Sequence, residues 1–202
     1  MQVYTLQPRT ALEFLLAGQP YRPDADLCRA DGFLDNSVQI VRAYDWMAAK
    51  LARQDMPPKP DALPVWVWHR FDSSRPDLRR HRPYAPGVLL ELEVDPARVL
   101  LSDFDLWHAP LNATFLGTEK DSVAFDRKCE QRGYGDGGDF WQDTELTALV
   151  CDSWELCLDL DWHAPDWFGV PYRQKKIQGV MWEIRPEDLI RHRFYTGWKW
   201  RA

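Results

Sequence analysis

Two stretches of the chain gather side chains able to do acid–base or recognition chemistry. The first, Val99–Asn112 (VLLSDFDLWHAPLN), follows directly on an alternating apolar segment and carries Ser102, Asp103, Asp105, Trp107, His108 and Asn112. Two carboxylates, an indole, an imidazole, a hydroxyl and an amide exceed what a packing segment needs, and they predict a bound ligand. If residues 102–108 are helical, Asp103 and Trp107 lie four apart on one side, and Asp105 and His108 three apart on the adjacent one. Such a grouping suits a ribose, a base edge or a proton in transit. Asp103 would serve equally as a carboxylate favoured at a helix start. The second stretch is Ile177–Ile184 (IQGVMWEI), where a period of two puts Glu183 on the face of Ile177, Gly179 and Met181. A carboxylate among apolar strand residues is costly unless something pairs with it or uses it. Glu183 is therefore either a catalytic carboxylate or the ion-pair partner of Arg191 or Arg193 on a neighbouring strand. Gln178 and Trp182, beside it, are candidate ligand contacts, as are Tyr4 and Gln7 near the N-terminus and Tyr44.

Two further sets have weaker chemistry. Trp66, Trp68, His69 and Arg70 are followed by Asp77, Arg79 and Arg80, and arginines in a polar loop can clamp a phosphate bidentately. A solvated loop with an Asp77–Arg79 contact accounts for the same residues. The tail Arg191–Arg201 interleaves basic and aromatic residues, as a stacking surface for single-stranded nucleic acid requires. An edge strand with snorkelling arginines reads the same way, and the acidic remainder of the chain argues against general nucleic-acid affinity. No metal is signalled: the four cysteines, Cys28, Cys129, Cys151 and Cys157, contain no CxxC pair and no matching histidine spacing. They read as reduced thiols.

Composition bounds the setting of these residues. The 202 residues, 45% hydrophobic, suffice for one sizeable core, and one domain is expected. No apolar run approaches the roughly 20 residues that cross a bilayer, and the N-terminus has no signal-peptide pattern, so a cytoplasmic protein without membrane partners is expected. The net charge of -6 is unevenly spread. Glu119–Asp161 holds twelve acidic against four basic residues, whereas Arg173–Ala202 holds eight basic against three acidic. The basic end is either a solvated face or one that receives a polyanion or nucleotide. Eleven tryptophans supply large apolar area with one N–H each, which suits core and pocket walls.

The elements that would position these residues follow from pattern. Val3–Leu6 reads as a strand ended by Gln7-Pro8, and Thr10–Ala17 as a helix stopped by Gly18. Asp35-Asn36-Ser37 caps a longer helix with Val41, Tyr44, Ala48 and Leu51 on its inner face. Pro64–Arg70 reads as a central strand and Val88–Val94 as an alternating one with Val88, Leu90, Leu92 and Val94 inward. Ser102 would cap a short helix ended by Pro110. Gly133–Gly138 reads as an exposed loop or lid. Thr144–Leu158 reads as an amphipathic helix burying Leu146, Val150, Trp154 and Cys157, Ile177–Ile184 as a strand, Pro186–Leu189 as one helical turn and Arg191–Thr196 as a closing strand. The expected fold is α+β: a twisted, mostly antiparallel sheet of five or six strands with about three packed helices and a tryptophan-lined cleft. Trp107-His-Ala-Pro110 recurs as Trp162-His-Ala-Pro165, but the surroundings differ, so a supersecondary repeat is not expected.

Tyr4–Pro8, Ala43–Met47 (AYDWM), Pro64–Trp68, Pro76–Arg79, Leu100–Asn112 and Ile177–Glu183 together resemble a bacterial family known as a domain of unknown function, over nearly the whole chain. That resemblance implies a single domain and no particular reaction. The order of elements also distantly resembles the ADP-ribosyltransferase class. There a late-strand glutamate, here Glu183, would hold the nicotinamide ribose of NAD and stabilise an oxocarbenium-like transition state, as carboxylates do in glycoside cleavage. Tyr4, Trp66, Trp68 and Trp182 would stack on nicotinamide or adenine. The chain departs from that class in lacking a first-strand His or Arg and in carrying Met181 where many members have a second Glu or Gln. Three readings result: an NAD-using ADP-ribosyl transferase, a non-catalytic binding protein for a nucleotide, nucleic acid or protein partner, and a hydrolase working through Asp103, Asp105 and His108.

Overall fold

A computed structural model describes residues 1–24, 38–71, 86–135 and 139–195. The expected Asp35-Asn36-Ser37 cap, Cys28, the set Asp77, Arg79 and Arg80, residues 136–138 of the glycine-rich loop, and the tail with Trp198 and Trp200 lie outside them. The chain forms two compact units, one of Met1–Leu34, Met47–Leu101 and Lys176–Ala202, the other of Asp35–Trp46 and Ser102–Lys175.

The first unit is built on a six-stranded sheet of order β4-β5-β2-β1-β3-β6. Its strands are β1 (Gln2–Gln7), β2 (Val65–Arg70), β3 (Gly87–Glu93), β4 (Leu100–Asp103), β5 (Ile177–Met181) and β6 (Leu189–Tyr195). The β1–β2, β1–β3, β2–β5 and β3–β6 pairs are antiparallel. The register follows from alternation, because a slip of one residue would expose every apolar side chain of the inner face. Val3, Val65, Val67, Val88, Leu90, Leu92 and Met181 are all buried on or beside that sheet. Helix α1 (Arg9–Leu16) adds Ala11, Leu12 and Leu15 to the same core. It ends as a Schellman motif: Gly18 adopts φ 73°, its N–H donates to Leu15 O at 3.1 Å, and Gln19 N–H donates to Phe14 O at 2.9 Å. The predicted α+β class with an antiparallel sheet is what the chain forms.

Helix α2 (Val38–Gln54) runs from the second unit into the first. Its fully buried residues are Ala43, Met47 and Leu51, at spacing four, while Val41 is 37% exposed. The predicted stripe beginning at Val41 is thus rotated by about half a turn at its start. Of the predicted face only Leu51 is among the fully buried residues.

In the second unit the helical reading of residues 102–108 is corrected. Ser102 and Asp103 complete strand β4, fully buried, and the only helix there is the short α3 (His108–Leu111). Asp103, not Ser102, caps the turn that leads into α3: its Oδ1 accepts the N–H groups of Asp105 at 2.9 Å and Leu106 at 3.3 Å. Pro110 falls inside α3 rather than beyond it, in a first turn whose N–H groups lack helical partners anyway. The acidic run from Glu119, to which pattern assigned no element, forms helix α4 (Glu119–Gln131), started by a capping box in which Thr118 and Asp121 bond reciprocally. Helix α5 (Thr144–Ser153) continues into a 3₁₀ turn, Trp154–Cys157, and buries Leu146, Val150, Trp154 and Cys157 as expected. Asp143 caps α5 by accepting from Glu145 and Leu146 N–H.

Candidate functional site

The aromatic residues of the second unit make one connected series. Phe115 and Phe125 stack with centroids 4.8 Å apart, Phe125 meets Phe140 edge-on at 5.6 Å, and Phe140 leads to Trp141 at 5.0 Å. Trp141 approaches Trp154 at 6.2 Å, and Trp154 meets Trp46 at 5.7 Å. Hydrogen bonds hold the series in place. Trp154 Nε1 donates to Thr114 O at 2.8 Å, Trp141 N–H donates to Asp139 Oδ1 at 3.2 Å, and Thr147 Oγ1 donates to Trp141 O at 3.3 Å.

A pocket of about 700 Å³ opens along this series. Phe115, Phe125, Phe140 and Trp141 form its apolar wall, and Arg42 of α2 places its guanidinium carbon 3.6 Å from the Trp141 ring centroid. A cation over an indole face is attracted by the ring quadrupole and keeps its N–H groups, in the ring plane's surroundings, available to an acceptor. The polar wall is Gln39, Asn112, Ser122 and the carboxylates Asp126 and Asp139. The pocket therefore offers flat stacking surface, one guanidinium, two carboxylates and three amides, Gln39, Asn112 and Gln142, a size and lining suited to a small planar ligand.

A second hollow, of about 550 Å³, is lined by His108, Asn112, Phe115, Trp167 and Phe168 and shares Asn112, Thr114, Phe115 and Ser122 with the first. It contains one end of the first predicted constellation. Of that constellation the structure joins Tyr44 to Trp107, edge-on at 6.1 Å, with Trp107 buried, and sets His108 at the hollow. Asp103 is turned away from any ligand role by its partners. Besides capping, it pairs through Oδ2 with Lys175 Nζ at 3.0 Å, and both side chains are at most 1% exposed. Lys175 also donates to Trp162 O at 2.5 Å. Asp105 contributes its carbonyl to the His108 ring, 3.3 Å from Nδ1.

The remaining sequence-derived candidates sit in the first unit. Gln7 Nε2 donates to Thr5 Oγ1, and Tyr4 stands opposite Trp68 and Glu91 across β1. Trp68 meets Phe71 edge-on at 4.8 Å, Trp66 lies on the same face of β2, and His69 Nδ1 is 3.1 Å from Gln2 O. Gln178 is buried in β5 with its Nε2 lacking a hydrogen-bond partner, and Trp182 Nε1 donates to Asp55 O at 2.7 Å. Arg79 lies outside the described residues.

Glu183 is engaged on both oxygens. Oε2 accepts from Arg22, whose terminal nitrogen is 2.6 Å away, and Oε1 accepts from Arg185 Nε at 2.8 Å. Burial works against its charge, but the hydrogen bonds from Arg185 and Arg22 outweigh that and hold the carboxyl below its ordinary range. The expected partners Arg191 and Arg193 are corrected to Arg22 and Arg185. Strand β6 is separated from β5 by β2, β1 and β3, and Arg193 donates instead to Tyr195 Oη at 2.7 Å. The Glu183 backbone carbonyl accepts from Arg98, which also grips Asp188 bidentately at 2.8 and 3.1 Å.

Reasoning from sequence missed Arg42, Phe115, Phe125, Phe140, Trp141 and Lys175. One signal was there to be used: Thr118-Glu-Lys-Asp121 has the capping-box spacing that announces α4, and with α4 comes Phe125. Among the described residues no group of three or more His, Cys, Asp or Glu could hold a metal ion, and no helix is long and apolar enough to cross a membrane. No curated protein and no solved structure matches the chain, and the resemblance to ADP-ribosyltransferases finds no support from either search. A family described as a domain of unknown function (DUF3841) does match, over residues 2–190, with both compact units represented in the matched span, and the chain belongs to that family.

Proposed function

We propose that the protein binds a small nucleotide-like ligand, a planar heteroaromatic ring carrying one anionic group, in the aromatic and acidic pocket of the second unit. The observation that carries this reading is the Arg42 guanidinium stacked on Trp141 at the wall of a pocket of about 700 Å³ whose lining includes three phenylalanines, three amides and two carboxylates. Stacked in this way, a guanidinium presents a planar fork that matches phosphate or carboxylate geometry. Charge narrows the class. One guanidinium faces two carboxylates, Asp126 and Asp139, so a polyphosphate would meet net repulsion, whereas a nucleoside or nucleoside monophosphate offers hydroxyl donors to the carboxylates.

A binding role is favoured over a transferase acting through Glu183, because both oxygens of that carboxylate already receive hydrogen bonds from arginines. NAD is therefore the comparison ligand rather than the expected one. Thermal unfolding in the presence of AMP, ATP or NAD tests the reading. A ligand at a hundred times its dissociation constant stabilises the native state by about 2.7 kcal/mol. AMP should raise the unfolding temperature more than ATP does, and Arg42→Gln should remove the effect of AMP. No shift with any of the three, or an AMP shift unaltered in Arg42→Gln, overturns it. A shift with NAD alone, abolished by Glu183→Gln, restores the transferase reading.

A further inference from the structure

The two non-glycine residues with positive φ among those described, Ala113 at 55° and Asp166 at 64°, adjoin in sequence residues that line the His108 hollow, Asn112 and Thr114 for the first and Trp167 for the second. Such conformations are unfavourable for L-residues and persist only where surrounding structure imposes them. At Asp166 the strain belongs to a tight turn. Ala164 and Phe168 exchange both backbone hydrogen bonds, at 2.9 and 3.0 Å, and Trp167 N–H also donates to Ala164 O. Trp167, 50% exposed, and Phe168, 41% exposed, which follow the second Trp-His-Ala-Pro in sequence, line the hollow together with His108 of the first.

The His108 ring is oriented for one purpose. Its Nδ1 lies 3.1 Å from Phe104 O and 3.3 Å from Asp105 O, and Phe104 packs against it edge-on at 5.0 Å. Carbonyl oxygens only accept, so Nδ1 carries the hydrogen, and in the neutral ring Nε2 carries the lone pair. Asn112 donates through Nδ2 to His108 O at 2.7 Å, which leaves its Oδ1 as a second acceptor at the same hollow.

The geometry points to a second subsite that takes an uncharged nucleobase bearing an exocyclic amino group. The base stacks between Phe115 and the Trp167–Phe168 pair, and the amino hydrogens are received by His108 Nε2 and Asn112 Oδ1. This assignment rests on the nucleotide reading of the adjoining pocket and refines it, placing the base in this hollow and leaving the sugar and anionic group to the adjoining one. Asn112, Thr114 and Ser122, common to both hollows, then meet the sugar, and Arg42 meets the anionic group.

Titration calorimetry with adenosine, which has no phosphate, separates the subsite from Arg42. Adenosine should bind, Trp167→Ala should weaken it at least about fivefold, the low end of one base–aromatic stack, and N6,N6-dimethyladenosine should bind about tenfold more weakly, having no amino hydrogens. His108→Phe should erase the difference between the two nucleosides. Adenosine and its dimethyl derivative binding equally to the unaltered protein, or adenosine binding unaffected by Trp167→Ala, overturns the subsite. If AMP binding still depends on Arg42 in that case, the pocket reading survives alone; if adenosine behaves as expected and AMP ignores Arg42, the subsite stands and the anion assignment fails.

Discussion

At the scale of single residues, the buried ion pair of Asp103 and Lys175 in the second unit is one that sequence reasoning did not join. Asp103 belonged to the predicted ligand cluster, yet its two oxygens serve the chain: Oδ1 caps the turn into α3 and Oδ2 pairs with Lys175 out of contact with water. An ion pair so buried recovers little net stability, but removing one partner leaves an uncompensated charge in the interior. Lys175→Met should therefore cost about 3–5 kcal/mol in urea unfolding. Adding Asp103→Asn should restore most of that loss, since asparagine keeps an Oδ1 for the cap. A single-variant cost below about 1 kcal/mol would mean that water reaches the pair. Lys175 could not be paired with Asp103 from sequence because 72 positions and several elements separate them, and a lysine reads as surface by default.

At the scale of elements, β5 illustrates how composition and packing meet. Each residue of this strand is buried, and Gly179 at its centre admits the neighbouring chain closely. A Cβ built there would lie 2.8 Å from Val99 Cγ1, 3.0 Å from Leu101 Cδ2 and 3.2 Å from the Leu100 carbonyl oxygen. The backbone oxygen cannot rotate away, so Gly179→Ala should destabilise the protein by about 1–3 kcal/mol, as overpacking does. A thermally neutral Gly179→Ala variant would show that β4 can shift outward without loss. The alternating strands β1 and β3 and the helix of Thr144–Ser153 were legible because one buried face imposes a period of 2 or 3.6. Helix α4 was not, because only Phe125 and Cys129 of its thirteen residues are buried and its charges mask the remaining pattern.

At the scale of the whole molecule, acid should be the sensitive direction. Glu183, Asp121, Asp143 and Glu145 all have carboxyls held below their ordinary range. For Glu183 the hydrogen bonds from Arg185 and Arg22 overcome the opposing effect of burial. For the others the leading cause is a hydrogen bond, from Thr118 to Asp121, from Arg132 to Asp143 and from Lys128 to Glu145. A carboxyl that is more acidic folded than unfolded contributes stability that is complete above its unfolded value and is lost as pH falls through its folded one. The urea midpoint should accordingly hold between pH 7 and 5 and decline once the pH passes below about 4.5, the reference value for a glutamate. Glu183→Gln should lower the midpoint at pH 7 and flatten that decline. Unchanged slopes in Glu183→Gln would mean that its arginine partners contribute nothing to the native state.

What the amino-acid sequence determined by itself was the class of fold and the membership of a family, since both are written in local periodicity and in motifs spread along nearly the whole chain. Of the polar stretch 99–112 that the sequence singled out, His108 and Asn112 line the second hollow. Only the tertiary structure decided which side chains form the pocket. Arg42, Phe115, Phe125 and Trp141 come from α2, the turn after α3, α4 and the turn before α5, and no local period connects positions brought together by packing. It decided equally that Glu183 faces Arg22 and Arg185, because sheet order, set by long-range pairing, keeps β6 away from β5.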